Sequence, residues 1–298
     1  MARFVLERFP PHLNGVFGVA SFYSLYLLWQ ALAGVATLRV SPGSVVGAAT
    51  VTGMLLLLRI MDEIKDHDTD RRLFPARPLA AGRVTLADLR AAAVAIVTAL
   101  AVANLFLGWV FVPFLVLLGY SWLMFRWFFV PDRLSNSLVL AFLTHQPYVP
   151  LSLAYTACVA ARDLEVASRD PRGALAIVGL WAPFAGWEVS RKIRAPGHET
   201  EYRTYSMVLG PRLAALLCLS LVAASAAALA VVARSIGASP ALVGLAGLAY
   251  GVTGAALIAF VVGPSRARSN LEPYFDLLLL TVHVGLVVEL AVRRSVAW

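Results

Sequence analysis

The sequence predicts an all-α integral membrane protein: nine transmembrane helices bundled in one domain over residues 1–298. Three observations carry this. The chain is 60% hydrophobic, with a mean hydropathy of +0.77. Its apolar runs are roughly 18 to 25 residues long, which at ~1.5 Å per helical residue matches a hydrocarbon core of ~30 Å. Its basic residues fall predominantly on one side of those runs. A soluble domain of this length could not hide so much apolar surface in one core, so the lipid bilayer is the expected solvent.

The spans follow in order. Arg3, Glu7, Arg8 and Pro10-Pro11 precede the first run, Asn14–Ala36, which continues too far for the apolar part of a signal peptide. The second, Ser44–Met61, is expected to continue as a helix past the membrane surface. The third and fourth, Leu86–Leu105 and Trp109–Phe129, are joined by a tight turn at Gly108. The fifth, Ser135–Ala160, carries Pro147 and Pro150 and should be kinked. Pro183 interrupts the sixth, Gly173–Val189. Leu213–Ala233, Ala241–Val262 and Tyr274–Val292 complete the set.

Loop charge orients this arrangement. With the N-terminus inside, the inner segments hold Arg3, Arg8, the basic residues from Arg59 to Arg90, Arg126, Arg133, those from Arg191 to Arg212, Arg266 and Arg268. The outer segments hold only Arg39, Arg162, Arg169, Arg172, Arg234, Arg293 and Arg294. The positive-inside rule therefore places the polar segments 62–85 and 190–210 on the cytoplasmic side, where they are expected to cap a site. The net charge of +8 is spread over short loops, so nucleic acid is not an expected partner. Cys158 and Cys218 sit in apolar runs too far apart for a ligand motif and read as small buried hydrophobes.

The stretch from Arg59 to Arg72 concentrates five carboxylates in nine residues. On a continuous helix Asp62, Asp66 and Asp70 fall within about 80° of one another, with Glu63 beside them and Arg59 on the same side; Asp68 points elsewhere. Carboxylates stacked on one face repel each other unless countered. Mg²⁺ is a natural counterion, since it takes oxygen ligands and is commonly held by one or two carboxylates plus substrate phosphates. The plainer alternative is a solvated surface helix carrying Asp–Arg pairs.

The spacing Asp62-Glu63-x-x-Asp66-x-x-x-Asp70, followed by Arg77-Pro78-Leu79, resembles the first signature of the UbiA superfamily of intramembrane prenyltransferases. In that family Asn-Asp-x-x-Asp-x-x-x-Asp precedes an Arg-Pro pair, and the acidic residues bind Mg²⁺ and an isoprenyl diphosphate. Here Asp62 replaces the Asn and Glu63 the first Asp, so oxygen ligation survives both changes. The resemblance covers nearly the whole chain, including polar loops after the second and sixth spans. It implies a UbiA-like fold, Mg²⁺ held by Asp62, Glu63, Asp66 and Asp70, and Arg77 near the leaving group.

The family's second signature is a run of aspartates after the sixth span. The corresponding stretch, Trp187 to Gly210, contains no Asp. Glu188 stands where the first acidic ligand would be, Lys192 lies one turn on, and Arg191 is beside it. One reading has Glu188 ligating metal while Arg191 and Lys192 meet phosphate oxygens directly. The other is an ordinary basic loop with an i,i+4 Glu188–Lys192 pair.

Other candidates lie near the spans. Arg126 closes the fourth span about where the family carries a diphosphate-binding basic residue, or it is a snorkelling anchor. Asn136, His145, Gln146 and Tyr148 on the fifth span are expected to face the bundle interior, as packing groups or substrate contacts. His145 could orient an acceptor or take a proton. Asn14 lines the cavity or caps the first span. Asp276, His283 and Glu289 on the last span read as structural. The aromatics Trp109, Trp122, Phe125, Trp127, Phe128 and Phe129 read mostly as an interfacial belt, with a few facing a cavity.

These observations lead to an expected Mg²⁺-dependent membrane enzyme that ionises an isoprenyl diphosphate and transfers the prenyl group to an acceptor. A terpene cyclase of the same superfamily, capturing the cation internally, is the alternative. A transporter or lipid-binding protein without chemistry is the remote one, because its charges should lie deep in several spans.

Overall fold

A computed structural model describes residues 1–165, 170–199, 201 and 203–297; Arg169, among the outer charges, and Thr200 and Tyr202 in the second polar stretch lie outside them. The chain runs α1 (Ala2–Arg8), a π-helical turn (Pro11–Gly15), α2 (Val16–Leu32), β1 (Leu38–Arg39), α3 (Pro42–Lys65), α4 (His67–Leu73), α5 (Leu86–Leu105) and α6 (Phe111–Phe125). Next come α7 (Pro131–Ser135), α8 (Leu138–His145), α9 (Tyr148–Leu164), α10 (Arg172–Ser190), α11 (Tyr205–Leu209), α12 (Pro211–Ser235), α13 (Pro240–Val262), α14 (Glu272–Arg293) and β2 (Val296–Ala297).

Among the described residues, eight helical segments are long and apolar enough to cross a bilayer, and the chain is a multi-pass α-helical membrane protein. The expected fifth span is not one kinked helix. It is broken into α8 and α9 at Gln146-Pro147, because proline lacks the amide hydrogen that would continue the ladder. Asn136, expected on that span facing inward, is instead exposed at the end of α7, where its side chain donates to Asp132 O at 2.7 Å.

Local chemistry sets the helix starts. Ser41 and Thr85 form capping boxes with Ser44 and Asp88 at the heads of α3 and α5, satisfying amides that have no partner within the helix. The turn at Gly108 needs a φ of +64°, a conformation a side chain would strain.

The main core runs through α2, α3, α9, α10, α12 and α14, built on Phe22, Tyr26, Met54, Tyr155, Leu180, Cys218 and Phe275. Glycine permits its tightest approach: a Cβ on Gly186 would lie 2.4 Å from the Phe275 ring. Outward-facing Val94, Val102, Leu105, Leu245 and Leu248 remain exposed, as suits side chains that face lipid. A smaller cluster of Phe4, Ile60, Leu79, Val84 and Leu89 fastens α1 and the 74–85 turn to α3 and α5. At the opposite end of the bundle, β1 and β2 pair in parallel, Leu38 with Val296, tying the chain's C-terminal stretch to the α2–α3 connection.

Candidate active site at the polar end of the bundle

The site grows from the exit of α3. Asp66 has φ −94° and ψ 7°, at the seam between α3 and α4. The hydrogen bonds Asp66 N to Asp62 O (2.9 Å) and Asp70 N to Asp66 O (2.8 Å) carry the helical ladder across that seam. Asp62, Asp66 and Asp70 therefore stay on one side, and the charges of Asp62, Asp70, Lys65 and Arg77 all act on Asp66. Burial first, then the neighbouring Asp62 charge, pushes the Asp66 carboxyl up to about 6.

Cations engage the other acids. Asp70, buried, accepts from Arg77 at 2.5 Å, and Arg77 stacks 4.2 Å over Phe74. The turn after Arg77 is closed by Arg83 N donating to Pro78 O at 2.9 Å. Lys65 lies 3.5 Å from Asp62. Glu63 turns toward α1, where its Oε2 accepts from Arg8 Nε at 3.0 Å. Glu63 Oε1 and Asp70 Oδ2 are buried with no hydrogen-bond partner among the described residues.

The second half sits at the end of α10. Glu188 Oε2 accepts from Arg191 Nε at 2.8 Å, and its Oε1 from Lys192 Nζ at 2.8 Å. Arg191 also stacks 4.6 Å over Trp187. The following loop is folded back on itself: Tyr205 N donates to Lys192 O at 3.0 Å and Arg194 N to Ser206 Oγ at 2.6 Å.

His145, at the end of α8, joins the two halves. Lys65 and Asp62 from α3 and Glu188 from α10 all lie near enough to act on its charge. Its ring meets Trp127 and Phe128, each with centroids 6.1 Å away, and Trp127 in turn lies under the Lys65 ammonium at 4.4 Å. Trp127, Phe128 and Phe129 adopt consecutive left-handed conformations, φ 50°, 50° and 62°. Each costs about 1–2 kcal/mol, so the aromatic contacts must hold this turn in place. It faces two rings inward, while Trp109, Trp122 and Phe129 stay exposed like a membrane-surface belt.

The remaining candidates are dispersed. Tyr148 is buried with its hydroxyl unpartnered among the described residues. Asn14 bonds weakly to Pro10 O at 3.5 Å. Arg126 is exposed, 5.9 Å from Phe129, and no contact among the described residues ties it to the acids. His283 is a packing group, bonded to Ser24 Oγ at 2.7 Å.

No protein-family model matches the sequence, and no curated protein matches it. Two solved structures share the fold. A UbiA homologue from Aeropyrum pernix K1, solved in its apo form, superposes with a TM-score of 0.65 at 18% identity, over 90% of this chain and 97% of that one. A digeranylgeranylglyceryl phosphate synthase superposes with a TM-score of 0.66 at 11% identity, over 97% of this chain and 98% of that one. The chain has the UbiA fold. Both superpositions span nearly the whole bundle.

On this UbiA scaffold Lys65 escaped sequence reasoning, whereas Arg59 is expected on the acidic side of the helix from its spacing alone. Lys65, almost buried, links Asp62 to Trp127. Its only sequence signal is its place between two acids of the motif. Arg59 lies seven and eleven residues before Asp66 and Asp70, on their side of the helix. Its Nε is buried and unpartnered among the described residues, a cation costly to leave without an anion.

The donor set can be tested for Mg²⁺. Among the described residues no three acidic, histidine or cysteine side chains surround a common point. The carboxylates of Asp62, Asp66 and Asp70 line one side without converging on one point, although Mg²⁺ needs only one or two carboxylates when substrate phosphates supply the rest, and Asp70 Oδ2 has no hydrogen-bond partner among the described residues. Glu188 does not fit: both its oxygens are held by side-chain cations.

Proposed function

We propose that this protein is a membrane prenyltransferase that ionises an isoprenyl diphosphate at the polar end of its bundle and passes the prenyl group to an acceptor. The observation that carries this reading is convergence. Asp62 and Lys65 at the end of α3 and Glu188 at the end of α10, far apart in sequence, all act electrostatically on His145. The whole-chain likeness to a UbiA homologue and to a digeranylgeranylglyceryl phosphate synthase supports it.

Each residue has a role in this reading. Asp62, Asp66 and Asp70 would hold a magnesium ion, which when bound spreads the charge of a departing diphosphate. Arg59, Lys65 and Arg77 border the same side and offer donors to phosphate oxygens. Arg191 and Lys192 approach from the opposite loop. Trp127 and Phe128 present aromatic faces beside the polar groups, where a developing allyl cation gains cation–π attraction. The basic bias of these loops supports a site that faces the cytoplasm.

The test is incubation of purified protein with geranylgeranyl or farnesyl diphosphate and Mg²⁺, with and without a membrane lipid extract, following pyrophosphate release. Release with a prenylated lipid product supports the reading. A cyclic hydrocarbon or alcohol formed without extract would make the enzyme a cyclase. No release under any condition, together with no magnesium-dependent diphosphate binding, would refute both.

A further inference from the structure

The last turn of α10 presents side chains in two directions. The charge of Glu188 acts on His145, whereas Trp187 turns toward α14, where its Nε1 donates to Asp276 Oδ1 at 2.8 Å. Asp276 lies in the second turn of α14 and is exposed. Among the described residues no other side chain bonds to it and no cation pairs with it. His283, on the same face, is bonded to Ser24 Oγ instead, so the two do not pair. Packing does not account for the carboxylate either, since its neighbour Phe275 is the residue that fills the contact with Gly186. An acid on a membrane-spanning helix with no countercharge is costly and marks a functional position.

The surroundings say what it could receive. Trp187 meets Phe184 with ring centroids 5.8 Å apart, Phe184 meets Phe17 of α2 at 5.6 Å, and Phe17 stands edge-on to His283 at 5.4 Å. Three helices thus bring an aromatic wall to one open carboxylate. One turn toward the polar end, Glu272 borders a polar cavity of about 240 Å³ that Arg191, Arg194 and Asn270 also line. Arg191, assigned above to the diphosphate, stacks 4.6 Å over the same indole that holds Asp276. An ionised carboxylate only accepts hydrogen bonds. With Oδ1 taken by the indole, Oδ2 is open to a donor, and the nearby arginines disfavour a cationic one. A neutral hydroxyl on an apolar body fits.

We propose that Asp276 is a catalytic base that receives the hydroxyl of an amphiphilic alcohol, the prenyl acceptor, with Trp187 as the positioning residue that aims its carboxylate. The bond between C1 of the prenyl chain and the diphosphate oxygen breaks, and its electron pair leaves with pyrophosphate. The acceptor oxygen bonds to C1 and gives its proton to Asp276, which passes it to water. The product is an ether. This inference rests on the prenyltransferase reading but can fail separately from it.

The test gives detergent-solubilised protein geranylgeranyl diphosphate, Mg²⁺ and a lipid extract of native membranes, either untreated or with its hydroxyls acetylated. Prenylated product is identified and counted by mass spectrometry, and affinity for a geranylgeranyl thio-diphosphate analogue is measured alongside. Wild type should form an ether from the untreated extract only. Asp276→Asn keeps the side chain's shape but cannot take a proton. It should lower product about 100-fold with analogue affinity unchanged, and Asp276→Glu should recover part of the loss. Trp187→Phe keeps a ring under Arg191 but removes the indole N–H, and should raise the extract concentration needed for half-maximal rate several-fold. Undiminished product in Asp276→Asn, an equal loss of analogue affinity in that variant, an unchanged extract requirement in Trp187→Phe, or a carbon- or nitrogen-linked product would overturn the role of Asp276 while leaving the prenyltransferase reading intact. No prenylated product from wild type with either extract would sink both.

Discussion

The guanidinium of Arg8 donates to the carboxylate of Glu63 across 55 residues of sequence, at 3.0 Å, with the Glu63 side chain only 1% exposed. This pair anchors the N-terminal helix against the exit of α3, beside the acidic cluster. Removing one partner leaves a buried charge uncompensated. Arg8→Ala is expected to destabilise the protein by about 3 kcal/mol, and the double variant Arg8→Ala/Glu63→Gln should recover much of the loss. Thermal unfolding in detergent measures both; equal melting temperatures for wild type and Arg8→Ala would contradict the pairing.

Asp66 should make both stability and cation binding depend on pH. Its folded pKa, about 6, lies above the ordinary value of 3.8, so the folded chain binds the proton more tightly than the unfolded chain. Stability from this group is present below about pH 4 and is lost as pH rises through about 6, on the order of 3 kcal/mol in all. Metal-free protein should therefore melt higher at pH 5 than at pH 7. Cation binding needs the ionised form, so Mg²⁺ should raise the melting temperature at pH 7 and have little effect at pH 5. Asp66→Asn should flatten the first dependence.

The membrane spans were legible because length and apolar content in a bilayer leave the backbone few options besides helix. Ser41, Thr85 and Gly108 punctuate them by local chemistry alone. The acidic face of Asp62, Asp66 and Asp70 was legible too, since the helical ladder persists through Asp66. Pro147 signalled a disturbance, but whether proline bends a helix or ends it depends on what packs around it. Glu63 looked equivalent to its neighbours on a helical wheel, and only the folding-back of α1 gives it Arg8. Lys65 and Trp127 meet through a left-handed turn of three non-glycine residues, a conformation no local preference predicts.

Lys65 is the test of that turn. Lys65→Gln should raise KM for the diphosphate about tenfold, the loss of one charge-assisted contact of roughly 1.4 kcal/mol, and Lys65→Arg should restore part of it. An unchanged KM in Lys65→Gln would remove this residue from the site.

Close packing positions Glu188 as well. Gly186, two residues earlier on α10, has no room for a methyl group against Phe275. Gly186→Ala is expected to cost about 1–3 kcal/mol of stability and to lower turnover by shifting the end of the helix. Pairing it with Phe275→Leu should restore the melting temperature. Failure of that pairing to help would place the constraint elsewhere.

The central claim is that Asp66 and its neighbours hold a diphosphate through a divalent cation. The most direct measurement is the affinity of a geranylgeranyl thio-diphosphate analogue for wild type and Asp66→Ala, with Mg²⁺ and with chelator, each protein first shown to be monodisperse and helical. The account predicts binding by wild type that weakens at least 100-fold with chelator or in Asp66→Ala, about 2.7 kcal/mol or more. Equal affinity in all four conditions, or no binding by wild type in Mg²⁺, would contradict it.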